Sequence, residues 1–250
     1  MTALHAYSHR RCRFLTASRP RNHNLEEQAQ ALYKSWFVDF EPFKGGKFVE
    51  SELGMIPEGW SVSPLGQIVE YRKKSINPQR FPDTDFIHFS LPAFDNAKEP
   101  EIQRGSEIMS NKFVVEGKMV LFSKLNPRIK RLWVIDNVPE NSVCSTEFIA
   151  YKALNQALFP YIWCYLNGDS FYDGILAMVN GATGSHQRFH AEDTLGFFLP
   201  FNQDVSISFS KLISPILYSI MKNERENRSL KQERDVLLPK MMNGTLHVGD

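Results

Sequence analysis

Residues 204–238 read DVSISFSKLISPILYSIMKNERENRSLKQERDVLL and contain no glycine. Apolar side chains recur along this stretch at alternating spacings of three and four residues, as in a helix that packs lengthwise on another helix. The two series run Phe209, Ile216, Asn223, Leu230, Leu237 and Ile213, Ile220, Asn227, Arg234. Polar residues within the series lower stability but fix register, so the pattern predicts a long helix with one defined partner. Pro215 is expected to kink this helix or to mark where its regular part begins.

A shorter segment near the other end of the chain has the same character. Residues 24–40 read NLEEQAQALYKSWFVDF, with an apolar stripe and with Asn24 and Glu27 spaced as an N-cap and its capping-box partner. We therefore expect a short helix that starts at Asn24 and packs on the long one. The side chains expected at this contact are Leu25, Leu32, Trp36, Ile213, Ile216, Ile220, Leu230 and Leu237.

Between these helices the pattern changes twice. Residues 41–59 are punctuated by glycine and proline and are interpreted as a linker. Beyond it, short apolar and β-branched runs alternate with turn residues, which is typical of strands. The expected strands are Phe86 to Leu91, Lys118 to Phe122, Leu132 to Ile135, Val143 to Tyr151 and Leu195 to Leu199, with helices near Leu158 to Leu166 and Ser170 to Val179.

These segments predict an α+β protein: one mixed domain flanked by a short and a long helix that pack as an antiparallel coiled coil. The domain is expected at residues 54–202, after a partial helix at 24–40 and the linker at 41–59. The long helix follows at 203–240. Residues 1–23 are expected to be a disordered basic arm, and residues 241–250 a C-terminal tail.

Composition excludes several classes of protein. The longest apolar runs are far shorter than the roughly 20 residues of a membrane-spanning helix, and the arginine-rich start lacks the apolar core of a secretory signal. Three scattered cysteines do not make a disulfide framework and are expected to be reduced. The chain is therefore expected in the cytoplasm, although its basic, acid-free start would also fit a transit peptide.

A net charge of +1 does not indicate a nucleic-acid partner, so any such site must come from local clusters of charge. Residues 111–131 form the main cluster. Its basic members are Lys112, Lys118, Lys124, Arg128, Lys130 and Arg131, against the single acid Glu116. Smaller clusters are Arg72-Lys73-Lys74 and Gln187-Arg188. Phosphate binding and an ordinary solvated surface both fit these charges.

Several phrases in the sequence resemble the specificity subunits of type I restriction-modification systems. LEEQAQALYKSWFVDFEPF and ELGMIPEGW are similar to that family's junction between its central conserved helix and its second target-recognition domain. LFSKLNPRIKRLWVI and STEFIAYKA resemble its central strands and loop, and GATGSHQRF resembles the turn that closes the domain. LKQERDVLLPKMMNGTL is similar to the end of its distal conserved helix. These phrases occur in the family's order between about residues 24 and 248.

The resemblance implies a protein that reads one half of a split DNA site and directs adenine methylation and restriction by partner subunits. It implies double-stranded DNA and methyltransferase subunits as partners, and it leaves a restriction subunit open as a further partner. It implies no catalytic residue, metal or cofactor in this chain. The residues expected to contact DNA are Lys73, Lys74, Lys124, Asn126, Arg128, Lys130, Ser185, Gln187 and Arg188.

This chain departs from the family in having one recognition domain where two are usual. It resembles the distal half of a full subunit, and a weak repeat aligns Asn22, Leu25 and Leu32 with Asn227, Leu230 and Leu237. Two copies paired through their helices could therefore read a symmetric split site.

Two other classes of function remain open from the residues. Pro82-Asp83 with Glu116-Gly117-Lys118 matches the short PD…ExK pattern of metal-dependent nucleases, although Glu116-Gly117 also fits a turn. His186 and His190 are spaced as possible metal ligands, but the nearby glycines favour a turn. Alternatively, the aromatic residues could form an interface with a protein rather than DNA.

Overall fold

The computed structural model describes residues 21–179 and 189–242. It contains two compact units. The larger unit is Gln30–Ile213, and the smaller unit combines Met1–Ala29 with Ser214–Asp250. Residues 1–20 of the expected arm, the tail from residue 243 onward and three of the expected DNA contacts, Ser185, Gln187 and Arg188, lie outside the described residues.

Two helices contribute to both units. Helix α1 includes residues 21–37, and helix α6 is Gln203–Met242. The predicted helix start at Asn24 is wrong, because residues 21–23 are already helical. Asn24 accepts a hydrogen bond from Gln28 instead (2.5 Å between Nε2 and Oδ1), as an exposed side chain one turn away. Pro215 lies inside α6 and does not end it.

The buried faces of α1 and α6 are rotated relative to the predicted contact residues. Leu25, Leu32 and Trp36 are only half-buried; the buried residues of α1 are instead Ala29, Tyr33 and Phe37. In α6, Ile213 and Ile220 are buried, whereas Ile216, Leu230 and Leu237 are half-buried, and Leu217 is buried although no contact was expected there. In α1 the rotation places the rings of Tyr33 and Phe37 inside, where both pack against Phe209 of α6.

Helices α1 and α6 contact each other within each unit. In the smaller unit, Asn223 Nδ2 donates to Asn22 Oδ1 (2.8 Å), and Asn22 Nδ2 donates to the Ile220 carbonyl (3.3 Å). In the larger unit, Phe209 lies edge-on to Phe37, with 5.0 Å between ring centroids. The Asn pair is the kind of contact that fixes the register of two helices.

The rest of the larger unit is a mixed α/β domain. Its strands are β1 Phe48–Ser51, β2 Gly54–Pro57, β3 Ser61–Pro64, β4 Val69–Arg72, β5 Ser75–Ile76, β6 Asp85–Phe89, β7 Glu101–Arg104, β8 Lys112–Val114, β9 Met119–Ser123, β10 Leu132–Ile135, β11 Ser142–Cys144, β12 Phe148–Ala153 and β13 Phe198–Phe201. Its shorter helices are α2 Leu91–Ala97, α3 Phe159–Asn167, α4 Asp169–Val179 and α5 Ala191–Thr194.

Two sheets form the centre of this domain. One has the order β10-β9-β12-β4 and the other β5-β8-β11-β6-β7. All their pairings are antiparallel except that of β11 with β6. Alternate residues of β9, such as Met119 and Leu121, join a buried cluster with Phe89 and Cys144 of the second sheet. Phe122, on the opposite face of β9, packs edge-on against Phe171 of α4 (5.4 Å between centroids). The domain therefore stacks sheet, sheet and helices.

The predicted α+β class is confirmed, with corrections to individual elements. Strand β10 has its predicted bounds, but the single strand expected at Val143 to Tyr151 is two strands, β11 and β12, in different sheets. The last strand starts at Phe198 rather than Leu195. Residues 41–59 contain no α-helix, but they begin with a short 3-10 helix, Glu41–Phe43, and continue into the β1–β2 hairpin rather than forming an open linker.

Across the described ranges 21–179 and 189–242, no helix is both long and apolar enough to cross a membrane.

Candidate DNA interface

Four of the expected DNA contacts share one loop. Residues 124–131 connect the antiparallel strands β9 and β10, whose last ladder pair is Phe122 with Leu132. We call residues 124–130 the reading loop; they include Lys124, Asn126, Arg128 and Lys130. Asn126 has a positive φ of 49°, which asparagine tolerates better than most residues. Its carbonyl accepts a hydrogen bond from the Ile129 amide (3.0 Å), so the loop contains a tight internal turn.

The cationic side chains of this loop differ in their partners. Lys130 Nζ donates to the Asn167 carbonyl at the end of α3 and lies 5.7 Å from the centre of the Tyr172 ring. Arg128 is exposed. Burial raises the pKa of Tyr172, and the positive charge of Arg128 partly offsets this rise. Within the part of the chain that the structure describes, no carboxylate pairs with Lys124 or Arg128. Both cations are available for a phosphate or a base edge.

The cluster Arg72-Lys73-Lys74 is neutralised by acidic neighbours. Arg72 Nη2 lies 2.8 Å from Glu116 Oε1, and Lys74 Nζ lies 3.3 Å from Glu116 Oε2. Lys73 pairs with Glu192 and also lies 4.7 Å from the centre of the Tyr71 ring. Hydrogen bonds from Arg72 and Lys74 lower the pKa of Glu116, and the bond from Lys73 lowers the pKa of Glu192. Both carboxylates are therefore ionised and paired with these cations in this structure.

The basic cluster expected at residues 111–131 does not form one patch. Lys112 is buried, with its Nζ donating to the hydroxyl (2.6 Å) and carbonyl (3.2 Å) of Ser110, and burial lowers its pKa. Lys118 pairs with Asp136 (3.2 Å), and Arg131 is buried against Asp95. Each of these cations has its own partner in the fold, which the linear count of charges could not show.

Sequence reasoning missed the partners of these cations. Tyr172 lies near the reading loop through α4, and Glu192 reaches Lys73 from α5, more than a hundred residues along the chain. No local sequence pattern marks either residue as a partner of these cations. Glu116 did have one: Gly117 follows it with a φ of 70°, a conformation that marks the turn between β8 and β9.

The segment with the remaining candidates, Ser185, Gln187 and Arg188, is not described. Its described flanks are buried: Val179 ends α4, and Phe189 packs on Phe122 of β9 with 6.4 Å between centroids.

The acidic residues do not form a nuclease centre. Asp83 is almost fully exposed and pairs with Arg104 (3.5 Å), while Glu116 and Lys118 pair with other residues. Among the residues described, no group of three or more His, Cys, Asp or Glu side chains could hold a metal ion. The two described cysteines, Cys144 and Cys164, are buried free thiols, and burial raises the pKa of Cys144 to about 12.

Comparison with curated proteins finds two specificity subunits. The MjaIX type I restriction enzyme specificity subunit of Methanocaldococcus jannaschii is 30% identical over 242 residues, which cover 91% of this chain and 54% of that protein. The HindI type I specificity subunit of Haemophilus influenzae is 22% identical, with 90% of this chain and 62% of that protein covered. The chain thus spans little more than half the length of these relatives. No protein-family model matches it.

Solved structures show the same fold. The S subunit of a type I restriction-modification system from M. genitalium aligns with a TM-score of 0.58 and 13% identity, over 94% of this chain and 57% of that one. The HsdS subunit of Thermoanaerobacter tengcongensis aligns with a TM-score of 0.51 and 19% identity, over 78% and 52%. A chain from a study of complex assembly and conformational transition in a type I system aligns with a TM-score of 0.52 and 20% identity.

Proposed function

Because the chain is related to the specificity subunits of type I restriction enzymes over nine-tenths of its length, we propose that it is a non-catalytic DNA-recognition subunit. It reads one half of a split DNA site, and partner subunits methylate adenine or cleave the DNA. The observation that carries this proposal is the 30% identity to a named specificity subunit, together with one recognition domain of the same fold.

The reading loop supplies the chemistry that this function needs. Arginine and asparagine present paired donors and acceptors that match the edges of guanine and adenine in the major groove. Asn126 and Arg128, near the middle of the loop, are proposed to contact bases. Lys124 and Lys130 are proposed to contact phosphates, which set the position of the domain on the duplex but carry no sequence information.

The remaining predicted contacts belong to a second group. Lys73 and Lys74 pair with carboxylates in this structure, and exposed ion pairs of this kind are weak, contributing about 0–1 kcal/mol. Phosphates can therefore replace Glu192 and Glu116 when DNA binds. Ser185, Gln187 and Arg188 are also proposed to contact DNA, as the resemblance implies.

The proposed protein partners follow from the relatives. Methyltransferase subunits, and a restriction subunit for cleavage, are proposed to assemble with this chain in the cytoplasm, where they meet double-stranded DNA. The relationship supports this assembly, because a non-catalytic reader needs catalytic subunits to act on the site.

A second copy of the chain is proposed to read the other half of the split site. The chain spans about half the length of its relatives, and the part of α6 beyond Asn223 carries exposed apolar residues such as Val236 and Leu238. Two copies related by a twofold axis would pair through these helices and read a symmetric split site.

Mapping methylated adenines across the host genome tests the function. A strain that carries the gene should contain one split motif that is methylated, and a strain without the gene should lose methylation at that motif alone. Restoring the gene should restore the motif. An unchanged methylation map after deletion of the gene would overturn the proposal, and a change in motif after exchange of the reading loop would add direct support.

A further inference from the structure

We infer that Arg131 and Asp95 position the reading loop, so that they set DNA specificity without touching DNA. This inference rests on the proposed function. Arg131 is the residue that follows the reading loop, and Asp95 lies on α2, 36 residues earlier in the chain. The Arg131 side chain is buried, and the Asp95 side chain that pairs with it is half-exposed.

The geometry of this pair restricts the guanidinium in two directions. Arg131 Nε lies 2.6 Å from Asp95 Oδ1, and Nη2 lies 2.9 Å from Asp95 Oδ2. Only 9% of the Arg131 side chain is exposed, against 49% of the Asp95 side chain. A two-point contact of this kind fixes the plane of the guanidinium, which a single lysine ammonium could not do.

The same arginine ties the two ends of the loop together. Its Nη1 makes a longer contact of 3.5 Å with the Leu125 carbonyl, and its own carbonyl accepts from the Ser123 amide (3.0 Å). Ser123 Oγ also donates to the Leu125 carbonyl (3.1 Å). The entry to the loop is fixed further by the Lys124 amide, which donates to the Glu147 carbonyl (2.9 Å). Arg131 thus links the loop entry, the loop exit and α2.

Helix α2 is itself a firm support. Ser90 caps its start by accepting from the Ala93 amide (3.0 Å), and Ala93 is buried. Phe94 packs edge-on against Trp133 of β10, with 5.0 Å between ring centroids. Asp95 therefore anchors the loop to a helix that packs on the strand leaving that loop.

A positioning role explains why a charged pair occupies this place. An ion pair with a buried member such as Arg131 is often no better for stability than apolar residues of equal volume, because the buried charge loses water. Its directional hydrogen bonds, however, define a geometry that apolar packing leaves loose. Base-edge contacts depend on such geometry, whereas attraction to phosphates depends mainly on charge.

Two variants separate these effects. Arg131→Lys keeps the charge and removes the two-point contact, and Asp95→Asn removes the charge of the exposed partner, with Asp95→Glu as the conservative rescue. The full chain, co-expressed with the methyltransferase subunits of its own system, is mixed with a pool of DNA duplexes that have a randomised centre. Sequencing the bound fraction gives the enrichment of the recognised sequence, and competition with a fixed unrelated duplex gives the non-specific affinity.

We expect Arg131→Lys and Asp95→Asn to lower enrichment about tenfold, a loss similar to that of one good base contact. Non-specific affinity should stay within about twofold for Arg131→Lys, because its charge is unchanged. Asp95→Glu should recover part of the enrichment. Hydrogen exchange should become faster at the Ile129 amide, which donates within the loop, and stay unchanged at the β12 amides. Ile162→Val, a buried change in α3, is the control for lost stability.

The outcomes separate the two levels of the proposal. A wild-type complex that enriches no sequence overturns the proposed function, and the positioning role with it. If the wild-type complex enriches a sequence and folded Arg131→Lys and Asp95→Asn enrich it equally well, only the positioning role is overturned. Equal loss of enrichment in the Ile162→Val control would likewise show that reduced stability, rather than loop geometry, is responsible.

Discussion

At the scale of single residues, Glu116 is placed to compete with DNA. Its two oxygens accept from Arg72 and Lys74, and its pKa is lowered mainly by the bond from Arg72. A carboxylate in this position weakens attraction to any phosphate, whatever the sequence. It therefore favours binding that gains additional energy from base contacts.

Glu116→Gln should strengthen non-specific binding to duplex DNA. Two cations become available to phosphates, so the plot of log affinity against log salt should become steeper by about one to two units. Salt titrations with an unrelated duplex measure this slope. Glu58→Gln, an exposed change of equal charge in the turn after β2, is the control and should have a smaller effect. Equal slopes for the two variants would contradict this role of Glu116.

Arg128 and Lys124 should behave differently although both are cationic loop residues. Arg128→Ala should relax the sequence preference at one base pair, at a cost of about 1–3 kcal/mol for the preferred sequence. Lys124→Ala should weaken binding to all sequences alike and reduce the salt slope by about one unit. Affinity for a panel of single-base variants of the recognised site distinguishes these results. Uniform weakening by Arg128→Ala would assign that residue to the phosphates.

At the scale of secondary-structure elements, the five-stranded sheet contains a buried histidine. His88 of β6 has its Nδ1 2.7 Å from Gln103 Oε1 on β7, so Nδ1 carries the proton and donates to the amide oxygen. Its Nε2 is buried without a hydrogen-bond partner in the described residues. Burial, together with the nearby charge of Lys112, lowers the pKa of His88, and the Gln103 bond offsets this only in part.

This histidine predicts a loss of stability in mild acid. Its pKa is lower in the folded state than the value of about 6.5 in the unfolded chain. The unfolded state therefore binds more protons as pH falls below about 6.5, and the free energy of unfolding decreases. His88→Asn keeps a donor for Gln103 but does not titrate. Urea unfolding at about pH 7.5 and 5.5 should show a smaller difference for this variant, and equal differences would contradict the assignment.

At the scale of the whole molecule, the long helix α6 offers a surface for pairing with a second copy. Leu230 and Leu237 are only half-buried, and Val236 and Leu238 are about half exposed. Half-exposed apolar residues at helical spacing along one segment are typical of a surface that packs against another helix. The proposed second copy would supply that helix.

The combined change Leu230→Glu and Leu237→Glu should prevent this pairing. Four like charges along the contact between two paired helices repel one another. Helix α6 itself tolerates glutamate well, because glutamate is a good helix former. Sedimentation equilibrium should find two copies for the native chain and one for the variant. Ser229→Glu with Gln232→Glu adds the same charges at exposed polar positions outside this contact and should still pair. A native chain that stays monomeric without partner subunits would contradict the proposed dimer.

Much of the architecture followed from local pattern. The periodicity of residues 204–238 predicted α6, and the alternation of apolar runs and turns predicted the α+β class and strand β10. These signals suffice because helix and strand periods depend on neighbours within a few residues. The reading loop was also visible as a basic, proline-containing stretch between two apolar runs.

Tertiary structure alone decided which charges remain available in that loop region. Lys112 and Arg131 belong to the same basic stretch as Lys124 and Arg128, yet the first two are buried and paired. The burial of both residues, and the pairing of Arg131 with Asp95, depend on strand order and side-chain direction, which are set by contacts between distant residues. Hence local sequence determined the elements and the loop, whereas the packing of α2 and the two sheets determined which cations can face DNA.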